Sequence, residues 1–265
     1  MKKYLVIGNP INHSLSPKLH NYWLKKNKIN AIYERLNLNE NDIKEILKDL
    51  KNNKIQGLNV TVPFKKNIIP YLDSLSSLAE QTQSVNTIYK LNDKIIGHNT
   101  DVGGFELAIR KINYNIKEKI IFILGAGGVA PSIILALKKM NVGKIILSNR
   151  TKQNALYLKD MNPDLEILNW GEVPEFDMII NATSLGLKNN DEIKLDFNKI
   201  GNNKFFFDVI YNPKETKFLS EAKKMGNQTE NGKMMFIYQA HQAFGIWHKI
   251  LPIIDDDIIK MLDHD

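Results

Sequence analysis

The sequence predicts an α/β protein made of two α/β units, and three observations carry the prediction. Short apolar runs bounded by Gly, Pro or Asn alternate along the chain with longer stretches of helical period. The run Ile120-Ile121-Phe122-Ile123-Leu124 is apolar without alternation, the pattern of a strand buried on both faces of a parallel sheet. A chain of 265 residues with 43% hydrophobic and 25% charged side chains can fill two ordinary cores and lies far from the composition of disordered proteins.

In the first hundred residues the apolar runs predict strands near 4–8, 31–38, 55–62, 87–91 and 94–98. A helix is expected over about 17–26, with Ser16 as its N-cap and Pro17 at its first position, where a missing N–H costs nothing. A second helix is expected over about 41–51, and a third, 101–112, leads away from this region. The pattern restarts with strands at 120–124, 144–148, 177–181 and 205–209, separated by helices. A long helix over about 234–249 and a short one after Asp255-Asp256-Asp257, an acidic start that suits the helix dipole, are expected to return to the first unit. The expected division is 1–100 plus 233–265 for one domain and 101–232 for the other.

Charge and composition remove several function classes. Lys and Arg exceed Asp and Glu by 36 to 29, a net +7, but only Arg35, Arg110 and Arg150 are arginines and the lysines form no continuous stripe. A nucleic-acid site favours clustered cations with interleaved aromatics, so a nucleic-acid partner is not expected. The absence of cysteine excludes disulfides, thiolate metal sites and a cysteine nucleophile, and agrees with a reducing compartment. No apolar segment reaches membrane-spanning length, and the expected location is cytoplasmic. His241 and His248, seven apart, read as packing residues, and no metal is expected.

The segment Gly125-Ala126-Gly127-Gly128-Val129-Ala130 follows the buried strand and opens an apolar helix, the context required of a dinucleotide-binding turn. The first glycine permits the tight turn, the second lets backbone approach a pyrophosphate, and a small third residue lets helix lie on strand. The helix start then presents N–H groups and positive dipole to the phosphates. About 20 residues on, where an NAD site places a carboxylate for the ribose 2′-OH, stand Ser148, Asn149, Arg150 and Thr151. No carboxylate repels a 2′-phosphate, and a guanidinium can bind one through its planar fork, so the cofactor expected is NADP(H). Lys152 can add to the same grip.

Two further segments are polar just beyond strands: Asn9-Pro10-Ile11-Asn12-His13-Ser14-Leu15-Ser16-Pro17 and Asn59-Val60-Thr61-Val62-Pro63-Phe64-Lys65. Ser84-Val85-Asn86-Thr87 and Gly97-His98-Asn99-Thr100-Asp101 add amides and a carboxylate. In an open α/β sheet ligands gather beyond the carboxyl ends of strands, and this set suits a small polyhydroxylated acid.

Taken in order, these motifs, with Asn149-Arg150-Thr151, Asn181-Ala182-Thr183-Ser184-Leu185-Gly186, Asp208-Val209-Ile210-Tyr211-Asn212-Pro213 and Gln239-Ala240, resemble the shikimate dehydrogenase family over nearly the full chain. The resemblance implies an N-terminal substrate domain with a mixed sheet, a Rossmann-like NADP-binding domain and a cleft between them. It implies NADPH-dependent, reversible reduction of 3-dehydroshikimate to shikimate on the route to the aromatic amino acids, by a monomer or homodimer. By the family pattern Ser14 and Ser16 bind the substrate carboxylate, and Thr61, Asn86, Asp101, Tyr211 and Gln239 the rest of the ring. Lys65 is the catalytic acid/base, paired with Asp101. The cofactor falls to Gly125, Ala126, Gly127, Gly128, Val129, Asn149, Arg150, Thr151 and Lys152, with Val209 and Gly232 near the nicotinamide. The chain departs from the pattern at Asn154, where a basic residue is common, at Asn231, where Asp is common, and at His241-Gln242. Quinate in place of shikimate, or a non-catalytic NADP sensor on the same scaffold, are the rival readings; intact Lys65 and Asp101 speak against the second.

Overall fold

The computed structural model describes residues 1–188, 191–196 and 200–263. The chain divides into two compact units, Met1–Gly104 with Ile237–Asp265, and Phe105–Phe236. Both divisions fall inside helices, a few residues beyond the breaks at 101 and 233 expected from sequence. Local packing explains this. A Cβ on Gly103 would lie 2.5 Å from the Gln242 side chain, so this stretch belongs with the first unit. Phe236 stacks on Tyr211 with ring centroids 4.3 Å apart and belongs with the second.

The first unit holds a six-stranded sheet of β1 (Lys2–Gly8), β2 (Ala31–Asn37), β3 (Gly57–Val60), β4 (Ser74–Leu75), β5 (Thr87–Leu91) and β6 (Lys94–His98) in the order β2-β1-β3-β5-β6-β4. β1 runs parallel to β2 and β3, whereas β5 is antiparallel to both β3 and β6, so the sheet is mixed. Its helices are α1 (Ser16–Lys26), α2 (Ile43–Lys51), α3 (Phe64–Asn67), α4 (Ser77–Thr82) and the start of α5 (Asp101–Lys111). In α2 the apolar positions Ile43, Ile46, Leu47 and Leu50 fall on one face and are buried against Leu5, Ile7, Leu58 and Ile88 of the sheet.

Helix α1 begins one residue earlier than its sequence suggests. Leu15 is the cap and Ser16 the first helical residue; the Ser16 N–H donates to Ser14 Oγ at 3.3 Å. The serine two positions upstream therefore satisfies the amide that Ser16 was expected to leave outside the helix.

The second unit is a parallel sheet of β7 (Ile120–Leu124), β8 (Lys144–Ser148), β9 (Glu166–Leu168), β10 (Met178–Asn181), β11 (Phe205–Asp208) and β12 (Gln228–Glu230), with α6 (Ala130–Lys139), α7 (Lys152–Met161) and α8 (Lys217–Lys224). The order β12-β11-β10-β7-β8-β9 reverses between β7 and β10, the switch point of a doubly wound, Rossmann-like sheet. All residues of β10 and β11 are buried, as are the last four of β7 and of β8, which is why these runs lack polar alternation.

Helix α9 (Lys233–His248) then carries the chain back, followed by α10 (Asp256–Met261). Trp247 on α9 lies over Gly57 of β3, where a Cβ would sit 2.4 Å from the indole, and donates its ring N–H to the Ile88 carbonyl at 3.1 Å. Trp23 of α1 donates to the Ile253 carbonyl at 3.2 Å. Asp255 caps α10 by accepting from the Ile258 N–H at 3.1 Å.

Candidate active site

Topology gathers the polar segments of the first unit at one sheet edge. β1 and β3 end there, β5 starts there because it runs antiparallel, and β6 ends there. The loops bearing Ser14, Ser16 and Thr61 thus share an edge with Asn86, which precedes β5, and with Asp101, which follows β6. Thr61 is fixed by its N–H donating to the Ile7 carbonyl at 2.9 Å.

Lys65 is the second residue of α3, a four-residue helix anchored by buried Phe64. Its carbonyl accepts from the Val85 N–H at 2.8 Å, which ties the helix to the strand bearing Asn86. Asp101 opens α5 but does not cap it, because the Val102 N–H donates to the Asn99 side chain at 3.2 Å. The carboxylate is free to face Lys65. Lys65 Nζ donates to Asp101 Oδ2 at 2.6 Å, and the two side chains are only 12% and 7% exposed. Asp101 is the one partner of this ammonium among the described residues, which leaves two of its N–H groups for a ligand.

The other carboxylate oxygen, Asp101 Oδ1, accepts from Asn86 Nδ2 at 2.8 Å. The orientation of the Asn86 amide is determined by its surroundings: its oxygen accepts from the Thr100 N–H at 2.8 Å, so its nitrogen must face Asp101. The same nitrogen lies 3.4 Å from Gln239 Oε1 on α9. Lys65, Asp101, Asn86 and Gln239 therefore form one connected cluster. Behind it, Thr87 Oγ1 donates to Asn86 Oδ1 at 3.1 Å, Asn59 Nδ2 to Thr87 Oγ1 at 3.1 Å, and Tyr33 Oη to Asn59 Oδ1 at 2.6 Å. Asn59, Thr87 and Thr100 were not singled out from sequence as site residues, although each stands inside a motif that was; a polar residue in a buried strand end was the available signal.

In the second unit the turn after β7 lies at the switch point. Gly125 has φ of +106°, and a Cβ there would come within 2.7 Å of the Thr183 side chain, so both its conformation and its surroundings require glycine. A Cβ on Gly127 would meet only the Ala182 carbonyl oxygen, at 3.9 Å, which leaves its backbone open to close approach. Gly128 and Val129 complete the turn into α6, whose N-cap residue, Val129, makes no side-chain cap hydrogen bond among the described residues. Asn149 holds the turn in place: its Oδ1 accepts from the Ala126 N–H at 2.9 Å while its Nδ2 donates to the Thr151 carbonyl at 2.7 Å. Arg150 and Thr151 are exposed, and Arg150 has no hydrogen bond or ion pair among the described residues. Lys152 is exposed and donates to the Asn169 side chain at 3.2 Å. These features fit a dinucleotide bearing a 2′-phosphate: a bare glycine turn at a helix start, and a free guanidinium with no carboxylate at the end of β8.

Val209, Tyr211 and Gly232 stand together in this unit. A Cβ on Gly232 would overlap the Val209 carbonyl oxygen at 2.1 Å, and the Gly232 N–H donates to the Ile210 carbonyl at 3.0 Å. Asn231 caps α9 by accepting from the Lys233 N–H at 3.0 Å, so its departure from the usual Asp keeps the capping chemistry. His241 pairs with the Pro252 carbonyl at 2.9 Å and His248 packs against Tyr4 and Phe244, the packing roles read from sequence. Among the described residues no helix is long and apolar enough to cross a membrane.

The chain is 60% identical over 262 residues, covering 99% of both sequences, to the shikimate dehydrogenase (NADP(+)) of Pelagibacter ubique strain HTCC1062. The chain belongs to the shikimate dehydrogenase family. The family's substrate binding domain matches residues 6–88, and the model described as shikimate / quinate 5-dehydrogenase matches 106–218. The crystal structure of shikimate dehydrogenase from Aquifex aeolicus superposes with a TM-score of 0.92 at 36% identity, covering 100% of this chain and 98% of that one. The family's Thermus thermophilus enzyme, solved with NADP(H) and shikimate, gives 0.89 at 29% identity, covering 99% and 98%.

Proposed function

We propose that this chain catalyses the NADP-dependent, reversible reduction of 3-dehydroshikimate to shikimate, with Lys65 as the acid/base. The observation that carries the chemistry is the shielded Lys65–Asp101 pair at 2.6 Å, joined to Asn86 and Gln239. NADPH, when bound, supplies the hydride to the carbonyl carbon. The protein must then deliver a proton to the oxygen as it becomes an alkoxide, from a donor within hydrogen-bond reach. Lys65 has N–H groups to spare for this, and Asp101 holds the ammonium in one position and stabilises its charge. In the oxidative direction the neutral amine takes the hydroxyl proton. Asn86, Gln239 and Thr61 orient the ring hydroxyls, and Ser14 and Ser16, at the start of α1, receive the carboxylate where the helix dipole favours an anion.

Arg150, with Lys152 and Thr151, binds the 2′-phosphate. Gly125, Ala126, Gly127, Gly128 and Val129 accommodate the pyrophosphate, with Asn149 supporting their turn. The family relationship and the free guanidinium support NADP over NAD. The test is to follow NADPH absorbance with shikimate or quinate against NADP⁺ or NAD⁺. The fastest turnover is expected for shikimate with NADP⁺; a preference for quinate or NAD⁺, or no turnover in any pairing, overturns the reading.

A further inference from the structure

The second unit contains a buried carboxylate that this mechanism does not use. Asp208, the last residue of β11, is 0% exposed and has no cation beside it among the described residues. Three donors from three segments converge on it. Its Oδ1 accepts from Asn181 Nδ2 at the end of β10 and from the Ile210 N–H, both at 3.0 Å, and its Oδ2 accepts from Thr216 Oγ1 at 2.6 Å. Thr216 caps α8 by accepting from the Leu219 N–H at 3.4 Å, so its hydroxyl hydrogen is available to Asp208. Asn181 extends the network: its Oδ1 accepts from both the N–H and the Oγ1 of Thr183, at 3.0 and 2.7 Å, and its Nδ2 also donates to the Leu185 carbonyl at 3.1 Å.

Burying an unpaired carboxylate is costly, and desolvation raises its pKa to about 6 despite the three donors. An apolar side chain could fill such a core more cheaply, so stability alone does not account for the carboxylate. What it joins does. The Ile210 N–H lies between Val209 and Tyr211, and the Ile210 carbonyl accepts from Gly232. The Thr183 side chain is the group a Cβ on Gly125 would strike. Asp208 therefore ties together the two loops, after β10 and β11, that follow the sheet's switch point.

We infer that Asp208 is a positioning residue of the cofactor site, holding the Val209–Tyr211 and Thr183–Leu185 loops in the geometry that receives the nicotinamide half of NADP(H). The inference rests on the function proposed above and adds a residue to it. A merely structural carboxylate would affect melting temperature and leave the kinetic constants of the folded enzyme unchanged; a positioning carboxylate changes cofactor binding by a larger factor than shikimate binding.

The experiment compares full-length wild type with Asp208→Asn, Thr216→Val and Thr216→Ser, each below its melting temperature. It measures kcat, KM for NADP⁺, NADPH binding by its fluorescence, and shikimate binding without cofactor by calorimetry. Asp208→Asn turns one acceptor into a donor opposite Thr216, and losing a hydrogen bond to a charged group corresponds to about a ten- to hundredfold effect. The expected result is weaker NADPH binding and a lower kcat/KM for NADP⁺ by that factor, a smaller change in shikimate binding, an intermediate loss for Thr216→Val and recovery in Thr216→Ser. Wild-type NADPH affinity and KM in Asp208→Asn overturn the inference, as does an equal loss of shikimate binding. If Asp208→Asn fails to fold, Thr216→Val decides: wild-type cofactor constants in that variant overturn the inference. Absence of shikimate oxidation by wild type would sink the proposed function instead, and the NADPH fluorescence comparison would still judge Asp208.

Discussion

At the scale of single residues, the separation of roles between Lys65 and Asn86 is the instructive feature. Asp101 offers one oxygen to each, so the carboxylate both holds the Lys65 ammonium and accepts from the amide beside it. On the proposed mechanism Lys65→Ala removes the group that moves a proton, and kcat should fall about 10²- to 10⁴-fold with little change in KM for shikimate, the signature of an interaction realised in the transition state. Steady-state rates in both directions check this, and near-normal turnover would remove Lys65 from the chemistry. Arg150 makes no hydrogen bond or ion pair among the described residues, so Arg150→Ala should leave stability unchanged while raising KM for NADP⁺ about ten- to hundredfold, as expected for a charged hydrogen bond, and barely affect NAD⁺. Equal loss with both cofactors would show that the guanidinium does not read the 2′-phosphate. Arg150 was legible locally, as a rare arginine at the end of β8, whereas Lys65 stood out only through its place in the motif 59–65 that carries the family resemblance.

At the scale of elements, caps and close approaches decide what the motifs can do. Ser14 accepts from the first amide of α1, and Asn99 rather than Asp101 accepts from the second amide of α5, which leaves the Asp101 carboxylate to Lys65 and Asn86. Ser16 was expected as the cap because Ser before Pro at a helix start suits that position, and sequence could not reveal that Ser16 is already helical and donates its own N–H to Ser14. The start of α9 is seated by Gly232 against the Val209 backbone. Gly232→Ala would place a methyl 2.1 Å from that carbonyl oxygen, and because both partners are backbone, loop and helix must part. A stability loss of about 1–3 kcal/mol is expected, with weaker NADP⁺ binding because Val209 moves. Thermal melting with and without NADP⁺ measures both; an unchanged melting temperature would contradict the close contact.

At the scale of the whole molecule, the C-terminal helices complete the first unit's aromatic core. His20 is buried with no hydrogen-bond partner for its Nε2 among the described residues, stacked on Tyr33 at 4.2 Å and surrounded by Trp23, Phe244 and Trp247. Burial, reinforced by His248, pushes its pKa from 6.5 down to about 3, and burial pushes His248 down to about 4. A histidine whose folded pKa is depressed binds fewer protons folded than unfolded. Its stabilising contribution is therefore complete above pH 6.5 and is lost as pH falls toward about 3. The melting temperature should decline through this window, and His20→Phe should flatten the decline whatever it does to the value at neutral pH. The same slope in wild type and variant would mean that His20 is not held neutral by the fold.

The sequence by itself determined the two α/β units and the glycine turn with its adjacent arginine. These are carried by local periodicity, by backbone requirements such as the positive φ of Gly125, and by side-chain chemistry that does not depend on distant partners. Tertiary structure alone decided which residues stand behind them. That Asn86 turns its nitrogen toward Asp101 depends on an amide fourteen residues away. That Asp208 gathers Asn181, Ile210 and Thr216 depends on parallel register between β10 and β11, which pairs Asn181 with Asp208. Both networks are buried, where an unpaired polar group is costly, so their partners are set by packing and not by any pattern visible along the chain.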